Sequence, residues 1–396
     1  MQFLEIPDDT RQKSNWIGYF FCGKGMTEPT KIGITGADGL LGTHVRAYFH
    51  GLDDLEVRAA NRQTFEVGRL AEFVDGCDAV LHLAGMNRGE DDVVARTNLE
   101  LTRQLIEALE ERGSTAHVLF SSSTHIERDS AYGTSKREAA ALLLAWAERN
   151  GGKFTNIILP GVFGEGGKPF YNSVVSTFCH QLASGETPTP HNDAPIEQIH
   201  AQEVARRFET LLREGTVGDV RVQGKDMTVY GLLETLSGMR DLYAQHIIPD
   251  LREDIRRDLF NTYRSYLYPG HYPVALTLHT DPRGSLFEAI KSPNGGQSFM
   301  STTHPGITRG NHYHTRKVER FLVTGGEAEI KLRHLFGSEI QTFRVSGEQP
   351  SYLDIPTLHT HKITNIGDST LTTLFWTHEL FDPAQPDTVA EAVERA

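Results

Sequence analysis

The residues best suited to chemistry fall in two sets. The first lies between residues 36 and 136. "GADGLLG" holds Gly36, Gly39 and Gly42 in GxxGxxG spacing, after the strand-like "KIGIT" and before the helix-like "LLGTHVRAYFH". Glycines let a backbone approach a diphosphate. A helix opening at Leu40, Leu41 and Gly42 adds free N–H groups and the positive end of its dipole. Further on, "SSSTHIERDSAYGTSK" places Tyr132 and Lys136 four apart, on one face of a helix start, after serines that end a strand. Carbonyl reduction needs this combination. A phenol trades a proton while hydride moves, a nearby ammonium and the cofactor's positive ring lower the phenol's pKa, and the Ser123 hydroxyl holds the carbonyl oxygen. The ribose-reading position, at the end of the next strand, reads "AANRQT". Asn61 and Arg62 stand there with no acid directly after the strand. An arginine suits a 2′-phosphate, so NADPH is expected over NADH.

The second set lies in "GITRGNHYHTRKVERFLVTGG", residues 306–326, joined by "PTLHTHKITN". His312 and His314 alternate onto one face of a strand, Glu319 approaches the same point once the chain turns, and His361 arrives from the second segment. Three imidazoles and a carboxylate suit Zn²⁺ or another divalent transition metal. His359, two residues before His361, is left out of the ligand set. A metal beside a carbonyl acts as a Lewis acid and makes the neighbouring carbon acidic. His312 is counted with Ser123, Tyr132 and Lys136 among the catalytic residues, although the sequence leaves open which group is the base. Arg283, Arg309, Arg316 and Lys317 offer cations to a diphosphate.

These side chains need two kinds of scaffold. From Lys31 to about residue 240 strand-like and helix-like segments alternate: "LEVRAAN", "AVLHLAG", "HVLFSSS" and "FTNIILPG" against "TNLELTRQLIEALEERG" and "KREAAALLLAWAERNG". That alternation predicts an α/β fold, a doubly wound parallel sheet. "RDLYAQHIIPDLREDIRRDLFNTYRSYL" reads as helix, and "YPGHYP" breaks it. Only strand-like runs follow, among them "ALTLHT", "FLVTGGEAEIKLRH" and "TLTTLFWTHEL", predicting an all-β module. The expected division is an unmatched extension over 1–27, a cofactor-binding unit over 28–262, a linker over 263–272 and a metal-binding unit over 273–396. Residues 1–25 leave two readings, a start at Met26 or a native extension.

The bulk numbers agree. A chain of 396 residues is comfortable for two domains, and 38% hydrophobic with 23% charged residues fits a soluble globular protein. A net charge of −13 argues against a nucleic-acid partner, which would require a basic face. No apolar run approaches the ~20 residues of a membrane span, and no basic-then-apolar signal segment is present, so a cytoplasmic location is expected. Cys22, Cys77 and Cys179 form no CxxC, and each is expected to be a small buried hydrophobe.

The first set, with "GADGLLG", "HLAG", "SSS" and "YGTSK" in order, resembles the extended short-chain dehydrogenase/reductase family. The resemblance implies Ser123, Tyr132 and Lys136 as catalytic residues, and Asp78, Leu83, Ala84 and Gly85 along the cofactor. Asn98 matches the family's structural or proton-relay asparagine. Gly161 stands where many members carry an asparagine. The segment 168–174 lies where the family contacts its sugar nucleotide, and Asn87, Arg88, Lys168 and Asn172 are expected as substrate contacts, with Arg309 and Lys317 from the second set. That second set resembles the cupin superfamily. Its first motif matches fully, while in the second Pro350 and Leu358 replace two usual glycines. "HTDPRGSLFEAI" is similar to a segment of the nucleotide-sugar 3,5-epimerases.

The order of the two halves, together with "FGEGGKPFYNSVVSTFCHQLA", "NTYRSYL" and "LFWTHELFDPAQPDT", resembles the bifunctional capsular polysaccharide synthesis enzymes of the UDP-N-acetyl-L-fucosamine route. The similarity covers nearly everything after residue 30. It implies a zinc cupin that epimerises carbon 3 of a UDP-2-acetamido-2,6-dideoxy-4-hexulose, a reductase that reduces carbon 4 with NADPH, and a homodimer often formed through the cupin. The rival readings are a reductase whose cupin only binds or dimerises, a non-enzymatic sensor and a dehydratase–epimerase.

Overall fold

The computed structural model describes residues 28–66, 68–282 and 284–395. The expected N-terminal extension, with Cys22, and Arg283 lie outside the described residues. The first unit opens with β1 (Thr30–Thr35), α1 (Leu40–Phe49), β2 (Leu55–Ala60), α2 (Arg62–Glu66), α3 (Leu70–Val74), β3 (Ala79–His82), α4 (Asp91–Glu111), β4 (His117–Ser123), α5 (Ala131–Asn150) and β5 (Lys153–Leu159). It continues through β6 (Gly161–Phe163), α6 (Val174–Ala183), β7 (Pro195–His200), α7 (Ala201–Glu214), β8 (Gly218–Arg221), β9 (Lys225–Thr228), α8 (Val229–Ala244) and α9 (Asp254–Leu267).

The main sheet runs β2-β1-β3-β4-β5-β8, and every pairing in it is parallel. Its order reverses at β1/β3, the switch point where such sheets open a crevice beyond their C-terminal ends. Successive residues of a strand face opposite sides. Val118 and Phe120 therefore join Val80, Leu143 and Trp146 on one face, while Leu119 joins Ile34, Leu81, Ile157 and Phe208 on the other. Helices cover both faces, as a fully buried sheet requires. Cys77 and Cys179 are free and buried, as expected.

The segment expected as one helix over 240–267 is two. Helix α8 stops at Ala244 and α9 starts at Asp254. Pro249 cannot supply a helical N–H and disfavours helix at the residue before it. Ile248 instead donates its amide to the Lys291 carbonyl at 2.9 Å. Helix α9 also runs on to Leu267, into the expected linker, and buries Tyr263 and Arg264.

The second unit is antiparallel. It comprises β10 (Val274–Ala275), β11 (His279–Asp281), β12 (Gly284–Leu286), β13 (Gln297–Thr303), β14 (Thr308–Tyr313), β15 (Glu319–Gly325), β16 (Glu327–His334), β17 (Ile340–Ser346), β18 (Ser351–Ile355), β19 (His359–Asn365), β20 (Leu371–Thr377) and β21 (Val389–Ala390). Two five-stranded sheets, β10-β18-β15-β20-β13 and β17-β16-β19-β14-β21, share one core. Phe321, Val323 and Phe375 of the first sheet pack with Ile330, Leu332 and Ile363 of the second. The two units are joined by apolar packing as well as by the chain: Val318 and Trp376 lie in a cluster with Phe178, Leu236, Phe260 and Tyr263. Among the described residues no helix is long and apolar enough to cross a membrane.

Candidate active sites

The crevice at the β1/β3 switch point holds most of the first set. Gly36 has φ +66, and a Cβ there would lie 2.7 Å from the Ala84 nitrogen. A Cβ on Gly42 would lie 2.3 Å from the Gly36 carbonyl. The turn therefore closes only with glycine at these positions. Gly39 caps α1 without a side-chain hydrogen bond, and the first turn of α1 carries no acid. The amides of Leu40, Leu41 and Gly42 are thus available to an anion. Thr35 locks the other wall: its hydroxyl accepts from the Leu83 and Ala84 amides, both at 3.2 Å, and lies 2.8 Å from His82 Nδ1. Asn61 and Arg62 emerge at the end of β2, and the Arg62 side chain is 92% exposed beside Glu66 at 2.9 Å.

Asp78 is a correction. It precedes β3, and its carboxylate accepts from the Lys31 amide at 2.8 Å, at the start of β1. In a parallel sheet that edge is the N-terminal one, a full strand length from the glycine turn, so Asp78 does not line the cofactor crevice. At Gly161 a Cβ would lie 2.3 Å from Gln198 Nε2, so Gln198 fills the space where an asparagine side chain would start.

Ser123 ends β4, and Tyr132 and Lys136 sit in the first turns of α5, where the Ser130 hydroxyl accepts from the Gly133 amide. The Lys136 ammonium donates to the Ser121 carbonyl at 2.7 Å and lies 4.6 Å from the Phe120 ring centre and 5.9 Å from that of Tyr132. Burial lowers Lys136 to about 8. Burial also raises Tyr132 to about 12, against a hydrogen bond with Ser123 that pulls it down. Among the protein's own groups, desolvation outweighs the polar neighbours of the phenol. Asn98 bridges the Met86 amide at 2.7 Å, the Met86 carbonyl at 2.9 Å and Ser135 Oγ at 3.1 Å, tying the loop after β3 to α5.

Among the expected substrate contacts, Arg88 donates to the carbonyls of Phe170, at 2.6 Å, and Tyr171, holding the 168–172 loop. Lys168 Nζ lies 5.4 Å from the Tyr171 ring centre, and Asn87 and Asn172 are exposed. Arg309 is exposed and bonds Thr303 Oγ1 and the Thr302 carbonyl, each at 3.0 Å. Lys317 is the second correction. It is 6% exposed, and its ammonium is spent on the Pro386 carbonyl at 2.8 Å and Thr388 Oγ1 at 3.4 Å, so it is not presented to a diphosphate. Arg316 is likewise committed, to Glu379 and the Gln385 carbonyl.

The second set converges as the spacing requires. Candidate ligand atoms of His312, His314, Glu319 and His361 all lie within 4.8 Å of one another. A bulge between Gly310 and His312, with Asn311 at φ +62, re-aims β14, and His312 pairs with His361 across β14/β19. Glu319 Oε2 is 3.1 Å from His314 Nε2 and 3.3 Å from His361 Nε2. His361 Nε2 is buried and has no hydrogen-bond partner, since the 3.3 Å contact lacks the geometry. An orphaned imidazole nitrogen facing a carboxylate and two other imidazoles is what a cation would satisfy. Burial and the other imidazoles keep His312 well below its ordinary pKa. Glu319 is held well below the usual carboxylate range despite burial, chiefly by His314, and His314 is raised by Glu319. Leu358, at a usual glycine position, adopts φ +60 and is buried, so the turn before β19 keeps a glycine-like backbone without the glycine.

A third cluster was not legible in the sequence. His44 from α1, Glu165 and His200 are buried together: His200 Nε2 is 2.9 Å from Glu165 Oε2, and His44 Nε2 is 2.9 Å from the Glu165 carbonyl. Thr357 of the β unit donates to Glu165 Oε1 at 2.5 Å, so the cluster pins the two units together. Burial would raise Glu165, but His200 outweighs it and holds it at about 2. Burial would lower His200, but Asp258 and then Glu165 raise it. Glu165→Ala therefore destabilises the protein by about 3–5 kcal/mol, the cost of leaving one buried partner alone, measured by denaturant unfolding. The Glu165 contribution is full above its ordinary 4.5 and lost as pH falls toward about 2. That of His200 is full below its ordinary 6.5 and lost as pH rises through its raised value. The wild-type advantage over the variant is thus greatest between pH 4.5 and 6.5.

Residues 32–222 match the NAD dependent epimerase/dehydratase family, and residues 279–389 match the polysaccharide biosynthesis C-terminal domain. Over 369 residues the chain is 33% identical to the UDP-2-acetamido-2,6-beta-L-arabino-hexul-4-ose reductase of Pseudomonas aeruginosa, covering 92% of this chain and 99% of the relative. The chain belongs to the family of that reductase. Its N-terminal unit is of the extended short-chain dehydrogenase/epimerase kind, and it is an enzyme of the epimerase/reductase family. A crystal structure of the capsular polysaccharide assembling protein CapF from Staphylococcus aureus covers 91% of this chain and all 100% of its own length, with 32% identity and a TM-score of 0.59. A UDP-N-acetylglucosamine 4-epimerase from Methanobrevibacter ruminantium, at 18% identity and a TM-score of 0.53 over 61% of this chain, shares the fold alone.

Proposed function

We propose that the chain is a two-step nucleotide-sugar enzyme. The C-terminal unit, a metal-bearing cupin barrel, epimerises carbon 3 of a UDP-2-acetamido-2,6-dideoxy-4-hexulose. The N-terminal unit reduces carbon 4 with NADPH to the UDP-2-acetamido-2,6-dideoxy-L-talose product, for capsule or O-antigen synthesis. The observation that carries this reading is the convergence of His312, His314, Glu319 and His361, with an orphaned imidazole nitrogen, in the same chain as the Ser123, Tyr132 and Lys136 set.

The fit of each site to its missing group supports the roles. Gly36, Gly39, Leu40, Leu41 and Gly42 would hold the diphosphate of NADPH, Leu83, Ala84 and Gly85 would line it, and Asn61 and Arg62 would meet the ribose and its 2′-phosphate. Bound NADPH supplies the hydride. Ser123 orients the carbonyl oxygen, Tyr132 donates the proton to it, and Lys136 stabilises the phenolate left behind. Arg88, Asn87, Lys168 and Asn172 frame the sugar-nucleotide channel, and the exposed Arg309 offers a cation from the second unit. His312, His314, Glu319 and His361 would hold Zn²⁺ or a similar ion, which supplies Lewis-acid polarisation of the 4-keto group. A higher kcat/KM with NADPH than with NADH checks the cofactor assignment.

A homodimer through the β unit fits the exposure of Phe299 and Met300 on β13, which ends its sheet. Sedimentation that returns a monomer refutes it. The deciding experiment incubates the full chain with the UDP-4-keto sugar in D₂O without NADPH. Deuterium entering carbon 3, read by NMR alongside metal analysis, is the expected result. Reduction without exchange would restrict the chain to the reductase step that the Pseudomonas relative is named for, with the β unit left to binding or dimerisation.

A further inference from the structure

The C-terminal segment returns to the second site from far along the chain. Asp387 lies in the stretch before β21, which pairs with β14 by His312↔Ala390 and Tyr313↔Val389. The Asp387 carboxylate closes the turn that separates His314 from Glu319. One oxygen accepts from the Thr315 amide at 2.9 Å and the Thr315 hydroxyl at 2.7 Å. The other accepts from the amides of Arg316, at 2.9 Å, and Lys317, at 2.8 Å. All three amides of the turn are satisfied by one side chain. The backbone carbonyl of the same residue faces His314 Nδ1. A carbonyl only accepts, so it holds a ring proton on Nδ1 and makes Nε2, 3.1 Å from Glu319 Oε2, the nitrogen that a cation would take. Asp387 holds φ +42, a left-handed conformation that aspartate tolerates better than most residues.

We propose that Asp387 is the positioning residue of the metal site: its carboxylate fixes the 315–317 turn, and its carbonyl fixes the tautomer and aim of His314. This rests on the metal reading of His312, His314, Glu319 and His361. It assigns a role to a residue outside the ligand set, and it ties the aim of His314 to the docking of the C-terminal strap.

The test is the metal affinity of the full chain, measured by competition for Zn²⁺ with a chromophoric chelator, together with the visible spectrum after loading with Co²⁺. Asp387→Ala weakens Zn²⁺ binding by about 10–100-fold, the usual effect of removing an outer-shell partner, and changes the Co²⁺ bands. Asp387→Asn, which keeps an acceptor oxygen for Thr315 but cannot accept from all three amides, shows a smaller loss. If Asp387→Ala does not fold, Asp387→Asn and Thr315→Val give the same ordering with smaller shifts. Wild-type affinity and an unchanged Co²⁺ spectrum in the folded variants overturn the role, even where the unfolding midpoint falls, because that pattern is purely structural. No metal uptake by the wild-type chain overturns the metal site itself, and this role with it.

Discussion

Tyr132→Phe lowers NADPH-dependent reduction by about 10²–10⁴-fold while leaving carbon-3 exchange at the wild-type rate. The argument starts from burial. Tyr132 is pushed up to about 12 by desolvation, so the phenol enters the reaction with its proton in place. In the proposed reaction hydride arriving at carbon 4 leaves an alkoxide, and Tyr132 is the acid assigned to it. Phenylalanine fills the same space but has no proton to give. Lys136 then matters as the counter-charge to the phenolate, and its proton is held less tightly than usual, at about 8. The lysine is cationic below that value and neutral above it, so the rate of reduction falls as pH rises past about 8. NADPH absorbance follows both effects. Equal loss of exchange and reduction in Tyr132→Phe would mean that the two steps share one site.

The second large effect is the mirror image. His312→Ala/His314→Ala abolishes carbon-3 exchange and stoichiometric metal, while the ketone that is already epimerised is still reduced. The two rings supply half of the donor set, and Glu319 loses the imidazole that holds its charge in a buried position. Lewis-acid stabilisation of a developing enolate is worth several kcal/mol, which makes the fall in exchange about 10³-fold or more. NMR of the deuterated sugar and metal analysis on the same sample read the result. Exchange surviving in the metal-free double variant would place the epimerising base elsewhere and reduce the cluster to a structural role.

The sequence by itself determined the parts of this protein that depend on local periodicity and short spacing. A strand, a glycine turn and a helix in succession can form only one local geometry, so Gly36, Gly39 and Gly42 fell at the switch point. Tyr132 and Lys136, four apart on a helix, had to share a face. His312 and His314 needed only a strand, and their meeting with Glu319 followed from a turn of a few residues. Breaks were harder to read. The helix expected over 240–267 is interrupted because Pro249 and a contact from Lys291, distant in sequence, win over helical periodicity.

Tertiary structure decided what depends on position within the sheet and on long-range charge pairing. Asp78 stands just before a strand that does line the crevice, at the end away from it, and periodicity carries no information about which end a ligand uses. Lys317 looked like a free cation beside the ligands, yet the C-terminal strap covers it and occupies its ammonium. His44, Glu165 and His200 are dispersed along the first unit and meet in one buried cluster, to which docking of the second unit adds Thr357. Asp387 stands in "LFWTHELFDPAQPDT", but its grip on the 315–317 turn exists only because β21 pairs with β14. The physical reason is common to all four. Spacing along the chain sets which residues share an element, whereas burial, hydrogen-bond partners and charge state are set by the elements that pack against it.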